Sequence, residues 1–186
     1  MAIIGIMGRK RSGKDTFASV LVNEAGYTRV AFADPLREVA LATNPIVAAS
    51  LVLPVGLITA PHLREVIDAL GWERAKDYVP EVRGILQRLG RAVRGQDPDF
   101  WLDMGLRSFN EASGPVVVTD VRFPNEADAI RASGGRLVRI VRPGQLDDDA
   151  DESEHALDDY EADTVVVNDA GIDKLEAAAR IVALLT

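Results

Sequence analysis

A glycine-rich loop between an apolar strand and a helix is the feature that most constrains this sequence. Residues 3–7 are a short apolar run rich in isoleucine, and residues 14–24 carry apolar side chains at helical spacing. Between them, residues 8–16 have the spacing G-x-x-x-x-G-K-x-T. Glycines let backbone N–H groups wrap around a phosphate, and the start of the helix adds a favourable dipole. The segment therefore predicts a phosphate-binding loop for a nucleoside triphosphate, in which the lysine reaches the β- and γ-phosphates.

The loop departs from the general phosphate-binding pattern at one position. The residue after Lys14 is Asp15, rather than serine or threonine, and a hydroxyl follows one position later at Thr16. Thr16 can contact a phosphate, and Asp15 can contact magnesium directly or through water, so the choice of magnesium ligand stays open. The alternative is a glycine-rich turn that only caps a helix. It is disfavoured because the strand, glycines, lysine and helix occur in register.

Strand and helix patterns alternate along the chain. Short apolar runs predict strands at residues 3–7, 29–32, 116–119, 137–141 and 164–167. Helices are predicted at residues 14–24, from Pro35 onward, and at 63–70, 82–94, 99–109, 124–133 and 173–185. This alternation predicts an α/β fold with a parallel sheet and right-handed crossovers. Three prolines within residues 44–61 predict an irregular or short-element insertion there.

Charge and composition exclude several classes of protein. The chain has 186 residues, of which 47% are hydrophobic and 27% charged, as in an ordinary globular protein. Its formal net charge is −8, whereas whole-surface binders of nucleic acid or anionic membranes usually carry the opposite sign. Without cysteine there is no disulfide, thiol nucleophile or cysteine metal site. No targeting segment is found, and no apolar run reaches the roughly 20 residues of a membrane helix, so we expect a cytoplasmic protein.

A carboxylate and an arginine follow the clearest strand. Asp120 and Arg122 come after the apolar residues 116–119. At the end of such a strand an acid can meet magnesium or its water shell, and a guanidinium can hold a phosphate with two hydrogen bonds. A simple ion pair is the alternative, and the upstream loop favours function. Glu126, near the start of the next helix, is equally suited to capping that helix and to contacting a ligand.

An arginine stripe and an acidic run complete the charge pattern. Arg83, Gln87, Arg91 and Arg94 lie about one helical turn apart, and we expect Arg91 and Arg94 to be solvated. Residues 147–154 hold six acids among eight residues. Because these charges would repel a nucleotide, we predict that the run is a solvent-facing surface of a lid, with weak metal binding as the alternative.

Several longer segments resemble the phage-encoded deoxynucleoside monophosphate kinases, which are P-loop relatives of adenylate kinase and dephospho-CoA kinase. The segments are GRKRSGKDT at 8–16, FADPLRE at 32–38, ILQRLGRAV with DPDFWL at 85–102, TDVRFPNEADAIRASGG at 119–135, VRIVRPGQ at 138–145, SEHAL at 153–157 and VVVND at 165–169. They occur in the family's order and reach nearly from end to end, except for residues 44–61. GKDT alone is weakly specific, whereas its combination with TDVRFPNEADA and RPGQ is specific.

The resemblance implies the reaction ATP + dNMP → ADP + dNDP, with Mg²⁺ accompanying ATP, and it implies roles for individual residues. The implied ATP-binding residues are Arg11, Ser12, Gly13, Lys14, Asp15, Thr16 and Arg142. The implied acceptor-binding residues are Leu36, Arg37, Arg83, Trp101, Asp120, Arg122 and Glu126, and Arg83 matches an arginine for the acceptor phosphate. Lys14, Asp120 and Arg122 are the expected catalytic residues. By residue type alone Trp101 is more often a core residue, and only the resemblance makes it a platform for the acceptor base.

The resemblance also implies the architecture and the partners. We expect one P-loop domain over residues 1–186, a three-layer fold with a five-stranded parallel sheet in the order 2-3-1-4-5. An acceptor-binding helical insertion is expected over about residues 35–110, and a lid-like segment over about residues 142–159. The expected partners are ATP and dNMP, and neither nucleic acid nor membrane is expected. The expected location is the host cytoplasm if the chain is phage-encoded. Whether the chain forms a homodimer stays open. The alternatives are a kinase for another small acceptor, such as dephospho-CoA, and a non-enzymatic ATP- or GTP-binding module.

Overall fold

A five-stranded parallel sheet organises the larger part of this chain in its computed structural model. The structure describes residues 1–48, 50–144 and 152–186. The sheet consists of β1 (Ile3–Met7), β2 (Thr28–Val30), β5 (Val116–Val118), β6 (Arg136–Val141) and β7 (Thr164–Val167). Its spatial order is β2-β5-β1-β6-β7, which is 2-3-1-4-5 when these five strands are numbered along the chain. All four neighbouring pairs are parallel, so the predicted α/β fold and strand order are confirmed.

The remaining elements are helices and one hairpin. The hairpin pairs β3 (Ser50–Leu53) with β4 (Gly56–Thr59) in antiparallel fashion. The helices are α1 (Lys14–Ala25), α2 (Asp34–Thr43), α3 (Leu63–Tyr78), α4 (Pro80–Arg94), α5 (Phe100–Glu111), α6 (Pro124–Ala132), α7 (Glu152–His155) and α8 (Ile172–Leu185). Within the described ranges, none of them is long and apolar enough to cross a membrane.

The chain divides into two compact units. The first unit comprises Met1–Phe32 and Leu102–Thr186, and the second comprises Ala33–Trp101. The first contains the parallel sheet, and the second contains the hairpin with α2, α3 and α4.

Both faces of the sheet are buried in the first unit. Every residue of β1 is buried. Ile4 and Ile6 share one apolar cluster with Phe17 of α1. Ile3 belongs to a second cluster with Ile130 of α6. Because successive side chains of a strand point to opposite faces, each cluster covers one face, as expected for a continuous apolar strand.

The carboxyl ends of the parallel strands gather the residues of interest at one edge of the sheet. The loop of residues 8–16 follows β1, and Asp120 comes shortly after β5. Arg142 follows β6, and Asn168 follows β7. This edge is where ligands bind in open α/β sheets.

The second unit has a core of its own. Val47, Leu53, Leu63, Val66 and Val82 are buried together there. The short-element insertion predicted for residues 44–61 contains the β3–β4 hairpin, and residue 49 lies outside the described residues.

The helix predicted to end at Gly71 continues beyond it. Gly71 has φ 71° and ψ 162°, which interrupts the helical geometry as expected for a glycine with positive φ. The chain then resumes helical geometry as far as Tyr78. The expected end of the helix is therefore wrong, because this glycine produces a kink rather than a stop.

Gly5 is predicted to control the packing of β1 against its neighbours. A Cβ at this position would lie 2.7 Å from Cδ1 of Ile130 and 2.8 Å from Cδ2 of Leu137, and both side chains are fully buried. We expect Gly5→Ala to lower the free energy of unfolding by about 1–3 kcal/mol, the usual cost of overpacking a core. Urea denaturation measures the change. Gly114→Ala is the control, because a Cβ there meets nothing within 4 Å, and equal midpoints for both variants would contradict the packing argument.

Candidate functional site

The loop of residues 8–16 has a backbone that requires glycine. Gly8 has φ 143°, and a Cβ there would lie 2.4 Å from the carbonyl oxygen of Ile140. Gly13 has φ 107° and is the N-cap of α1. Residues with a side chain rarely adopt such φ values. Arg11 also has a positive φ of 61°, a strained conformation of the kind that recurs at ligand-binding loops.

The loop offers hydrogen-bonding groups that the protein does not use. The Ser12 residue is only 1% exposed, and its hydroxyl has no hydrogen-bond partner within the described part of the chain. The start of α1 has no side-chain cap. A buried polar group without a partner is costly, and unpaired N–H groups at a helix start favour an anion. Together these features indicate an anionic ligand at the loop.

Lys14 folds back over the loop. Its ammonium group donates a 2.6 Å hydrogen bond to the carbonyl oxygen of Arg9. Burial, and after it the positive charge of Arg122, lower the pKa of Lys14 from 10.5 to about 8. An anion bound beside this lysine would favour the charged form and raise its pKa again.

Asn168 holds the loop from the end of β7. Its Nδ2 donates a 2.9 Å hydrogen bond to the carbonyl oxygen of Ser12. A Cβ at Gly13 would lie 2.6 Å from the same Nδ2, so the amide lies directly against the loop. Sequence analysis missed Asn168 as a site residue. The available signal was its position, since it is a polar residue directly after an apolar strand, at the edge where the loop also lies.

Asp120 lies in the same charged neighbourhood as Lys14 and Arg122. Its Oδ1 accepts a 2.9 Å hydrogen bond from the backbone N–H of Phe32. Burial is the main influence on the pKa of Lys14, and the charges of Arg122 and Asp120 also act on it. The structure therefore brings the three expected catalytic residues together, and their catalytic roles stay predictions.

Arg122 pairs with a carboxylate that sequence analysis did not assign to the site. Its Nη1 donates to Oε1 of Glu154 and lies 3.4 Å from the Ser153 hydroxyl. Oε2 of Glu154 accepts a 2.8 Å hydrogen bond from the backbone N–H of Lys10, within the loop. Only 6% of the Glu154 side chain is exposed. One internal carboxylate thus bridges the loop and the guanidinium that is suited to hold a phosphate.

The expectation that the acidic run faces solvent is wrong for Glu154. Burial acts to raise the pKa of Glu154, but Arg122 and the Lys10 N–H outweigh it, so the pKa lies below its ordinary value and the carboxylate stays charged near neutral pH. The physical reason is that α7 returns to the loop, which a run of acids alone does not reveal. Residues 147–151 of the run lie outside the described residues.

Two contacts hold the segment after α7 against the loop and the sheet. Arg9 pairs with Asp158 at 2.7 Å, and Arg139 donates a 2.8 Å hydrogen bond to the carbonyl oxygen of Leu157. A cavity of about 120 Å³ lies beside the loop. This volume is below the ~300 Å³ of typical small-molecule pockets, so with Glu154 in place there is room only for a small group. The lining comprises Gly8, Arg9, Ser12, Val121, Arg122, Arg139, Ile140, Val141, Ser153, Glu154, Leu157 and Asp158.

Glu126 caps α6. Its Oε2 accepts hydrogen bonds from the backbone N–H groups of Arg122 at 2.8 Å and Phe123 at 3.1 Å. The residue is only 3% exposed. Of the two roles that suited Glu126, the structure shows the cap, which also fixes the backbone that carries Arg122. A contact with an acceptor stays a prediction.

The other expected acceptor residues belong to the second unit. Arg37 on α2 and Arg83 on α4 each lie beside a carboxylate of this unit. Leu36 is half-buried and lies against Gly90. Trp101 is only 3% exposed, and its indole N–H donates a 3.2 Å hydrogen bond to the Gly90 carbonyl. Such burial is typical of a core tryptophan, and stacking on an acceptor base stays a prediction.

The expected magnesium ligands lie at the start of α1. Asp15 is exposed and Thr16 is half-buried. Across residues 1–48, 50–144 and 152–186, no group of three histidine, cysteine or acidic residues is arranged to hold a metal. One carboxylate and one hydroxyl nevertheless fit Mg²⁺, which takes most of its ligands from phosphates and water in kinases.

Arg142 and the lid-like segment are described only in part. Arg142 is exposed directly after β6, and its contact with ATP stays a prediction. Residues 145–151 of the expected lid-like segment lie outside the described residues.

The lowered pKa of Lys14 predicts a pH-dependent stability. Lys14 loses its proton near pH 8 in the folded protein and near 10.5 as an ordinary lysine. Below pH 8 its buried charge therefore destabilises the fold, and this cost disappears as the pH rises from about 8 toward 10.5. We expect Lys14→Met to raise the urea midpoint near pH 7, and the difference from wild type to shrink near pH 10.

The matched control for this prediction is Lys174→Met, which removes an exposed lysine of α8. NMR titration of the lysine side chains, with the Lys14 signal assigned by its loss in Lys14→Met, measures the pKa directly. A Lys14 midpoint near 10.5 would show that its ammonium group is not desolvated.

Comparison with known proteins identifies relatives over most of the chain. The sequence profile of deoxynucleotide monophosphate kinase matches residues 58–179. A protein of Acanthamoeba polyphaga mimivirus, described as a putative deoxynucleotide monophosphate kinase, is 32% identical over 183 residues, which cover 94% of this chain and 92% of that protein. The deoxynucleotide monophosphate kinase of Enterobacteria phage T4 is 33% identical over 100 residues, which cover 50% of this chain and 42% of that protein.

Solved structures align at low similarity. Dephospho-CoA kinase from Campylobacter jejuni aligns with 98% of this chain and 96% of its own, at 14% identity and a TM-score of 0.47. A similarity this low gives no information about the substrate. The profile match over more than half of the chain and the relative matched over nearly its full length show that the chain belongs to the deoxynucleotide monophosphate kinase family.

Proposed function

We propose that this chain transfers the γ-phosphoryl group of ATP to a deoxynucleoside 5′-monophosphate, giving ADP and dNDP. The observation that carries the proposal is the loop of residues 8–16. Its buried Ser12 hydroxyl has no partner in the described part of the chain, its helix start is uncapped, and Lys14 and Arg122 lie beside it. These features suit a polyphosphate, and the family supports a deoxynucleotide as the acceptor.

On the donor side, the chain supplies positioning and charge. Phosphoryl transfer requires these more than a strong base. Lys14 exchanges its hydrogen bond with the Arg9 carbonyl for one with a β- or γ-phosphate oxygen, while the Ser12 hydroxyl and the N–H groups from Arg11 to Thr16 surround the phosphates. Arg142 adds a positive charge on the ATP side. Asp15 and Thr16 would hold the Mg²⁺ that accompanies ATP, and the ion would supply charge neutralisation at the phosphates.

On the acceptor side, Arg122 neutralises charge on the group in transfer once it has exchanged the Glu154 carboxylate for phosphate oxygens. Asp120, which accepts a hydrogen bond from the Phe32 N–H, stabilises the charged forms of Lys14 and Arg122. The remaining acceptor contacts under this proposal come from Leu36, Arg37, Arg83, Trp101 and Glu126.

The reaction can be tested with an acceptor panel. The purified chain is mixed with ATP, Mg²⁺ and each deoxy- or ribonucleoside monophosphate, with dephospho-CoA in a parallel reaction, and ADP release is followed. We expect release with one or more dNMPs. Release with dephospho-CoA alone would move the activity to that acceptor, and ATP binding without release in any reaction would indicate a binding module.

Lys14→Ala tests the role of the loop in this reaction. We expect turnover to fall by about 10²–10³-fold, the usual cost of removing one electrostatic contact to a transition state. The fold should persist, because the lowered pKa shows that burying this charge is unfavourable. Lys174→Ala, an exposed lysine in α8, serves as the control. Unchanged turnover in Lys14→Ala would remove the loop from the mechanism.

Glu154→Gln tests whether the internal carboxylate competes with phosphate. Glutamine keeps the shape of the side chain but lacks the charge that pairs with Arg122. We expect ATP to bind roughly tenfold more tightly, since a charge-assisted hydrogen bond no longer has to be displaced. The gain should shrink at high salt.

Isothermal titration calorimetry measures this affinity. Glu161→Gln makes the same change of charge at an exposed residue of the first unit and should leave the affinity unchanged. Weaker or unaltered ATP binding in Glu154→Gln would show that Glu154 stabilises the structure of the site and does not compete with phosphate for Arg122.

A further inference from the structure

A group of side chains on three helices of the second unit combines positive charges with exposed carboxylates. Past the kink at Gly71, α3 presents Glu73 and Lys76 one turn apart. Arg37 comes from α2, and Arg83 comes from α4. We call Arg37, Lys76 and Arg83 the cation cluster.

One carboxylate bridges two members of the cation cluster. Oε1 of Glu73 accepts a 2.8 Å hydrogen bond from the ammonium group of Lys76 and lies 3.5 Å from Nη2 of Arg37. Arg37 also lies 3.3 Å from Asp34 and over the ring of Trp72, with 5.6 Å between Cζ and the ring centroid. The guanidinium of Arg37 is thus oriented by three neighbours, and one oxygen of Glu73 occupies a position where two cations converge.

The cations are more buried than the carboxylate that bridges them. The side chain of Lys76 is 18% exposed and that of Arg37 is 24% exposed, whereas that of Glu73 is 71% exposed. Arg83 is 28% exposed and lies 3.9 Å from Asp77, which is 51% exposed. An exposed carboxylate contributes little to a surface ion pair and can swing into water at small cost, while the less exposed cations stay in place. The carboxylates therefore behave as displaceable counter-ions.

The three positive charges act on one another. Burial lowers the pKa of Lys76, Glu73 opposes this shift, and the charges of both Arg37 and Arg83 lower the pKa further. Repulsion among the three is relieved by a ligand with two negative charges, which a single carboxylate does not provide. A phosphate monoester carries this charge near neutral pH and accepts hydrogen bonds at three oxygens.

We propose that Lys76 binds the 5′-phosphate of the acceptor nucleotide together with Arg37 and Arg83, and that Glu73 is the counter-ion which this phosphate displaces. The inference rests on the proposed function, in which Arg37 and Arg83 contact the acceptor. It adds a residue that neither the motifs nor the quoted segments of the resemblance singled out, although the family profile match over residues 58–179 spans Lys76.

The test compares the acceptor affinity of variants at Lys76. Lys76→Gln is expected to raise the Kd and the KM for the dNMP by about tenfold or more, with the KM for ATP unchanged, because one charged contact is lost. Lys76→Arg keeps the charge and should recover most of the affinity. The matched control is Arg74→Gln, which removes an exposed charge from the same helix, where Arg74 contacts the ring of Tyr78.

Glu73→Gln supplies an independent test of the displaced counter-ion. It should lower the Kd for the dNMP, whereas a purely structural pairing of Glu73 with Lys76 predicts no gain. This variant also decides the matter if Lys76→Gln fails to fold. Unchanged or weaker binding in Glu73→Gln, or wild-type acceptor affinity in folded Lys76→Gln, would overturn the proposal.

The failure of this inference differs from the failure of the proposed function. If the wild-type chain binds no dNMP, the proposed function falls and the role of Lys76 falls with it. If the wild type binds dNMP and only the Arg37→Gln and Arg83→Gln variants lose affinity, the function stands and the assignment of Lys76 alone is rejected.

Discussion

The functional site depends on one constraint: positive charges and unpaired hydrogen-bond donors must lie together beside one loop. A loop that wraps around a phosphate has to leave N–H groups and hydroxyls without protein partners, and the unpaired hydroxyl of Ser12 is the visible cost. Lys14 and Arg122 add two like charges beside the loop, and burial first, then the charge of Arg122, lowers the pKa of Lys14. Without a ligand, such a site needs an anion from the protein itself. Glu154 meets this need by accepting from both Arg122 and the Lys10 N–H.

The second unit handles its charges in a related way, but with a different degree of burial. The side chain of Glu154 is 6% exposed and is held by the loop, whereas that of Glu73 is 71% exposed and lies on the surface of α3. A buried, doubly hydrogen-bonded carboxylate is harder to displace than an exposed one, because its oxygens must find new partners in water while its cation loses a charge-assisted bond. The net charge of −8 therefore does not conflict with binding anions. Glu154 balances the charge of Arg122, and Glu73 balances that of Lys76.

The parts of this arrangement that follow from local sequence could be predicted, and those that depend on distant partners could not. The apolar run before Gly8 and the helical pattern after Gly13 are properties of neighbouring residues, so the strand, loop and helix follow from them. The sheet order came from the family resemblance, since apolar strands alone do not specify their neighbours. The kink at Gly71 was not predicted, because a glycine in the sequence indicates an interruption of the helix but not whether helical geometry resumes after it.

The missed site residues are explained by sequence separation. Glu154 meets Arg122 across 32 residues, and Asn168 meets Ser12 across 156 residues. In the sequence, Glu154 is one acid among several, and nothing local distinguishes the acid that will reach the loop. Lys76, for which we propose a contact with the acceptor phosphate, was not predicted for a similar reason, because Arg37 and Arg83 come from two other helices.

Internal counter-ions have a kinetic consequence that simple loss of affinity does not capture. A carboxylate tethered beside its cation competes with substrate at an effective concentration that dilution cannot lower. The apparent affinity for a phosphate is then the intrinsic affinity multiplied by the fraction of molecules from which the carboxylate has already left. The carboxylate weakens binding of the ground state and of the transition state equally. The height of the chemical barrier, measured from the bound complex, is therefore unchanged. Under the proposed function, Glu154 returns to Arg122 as the phosphate leaves, which assists product release, a step that limits turnover in many enzymes. Weaker binding and faster release thus follow from the same contact.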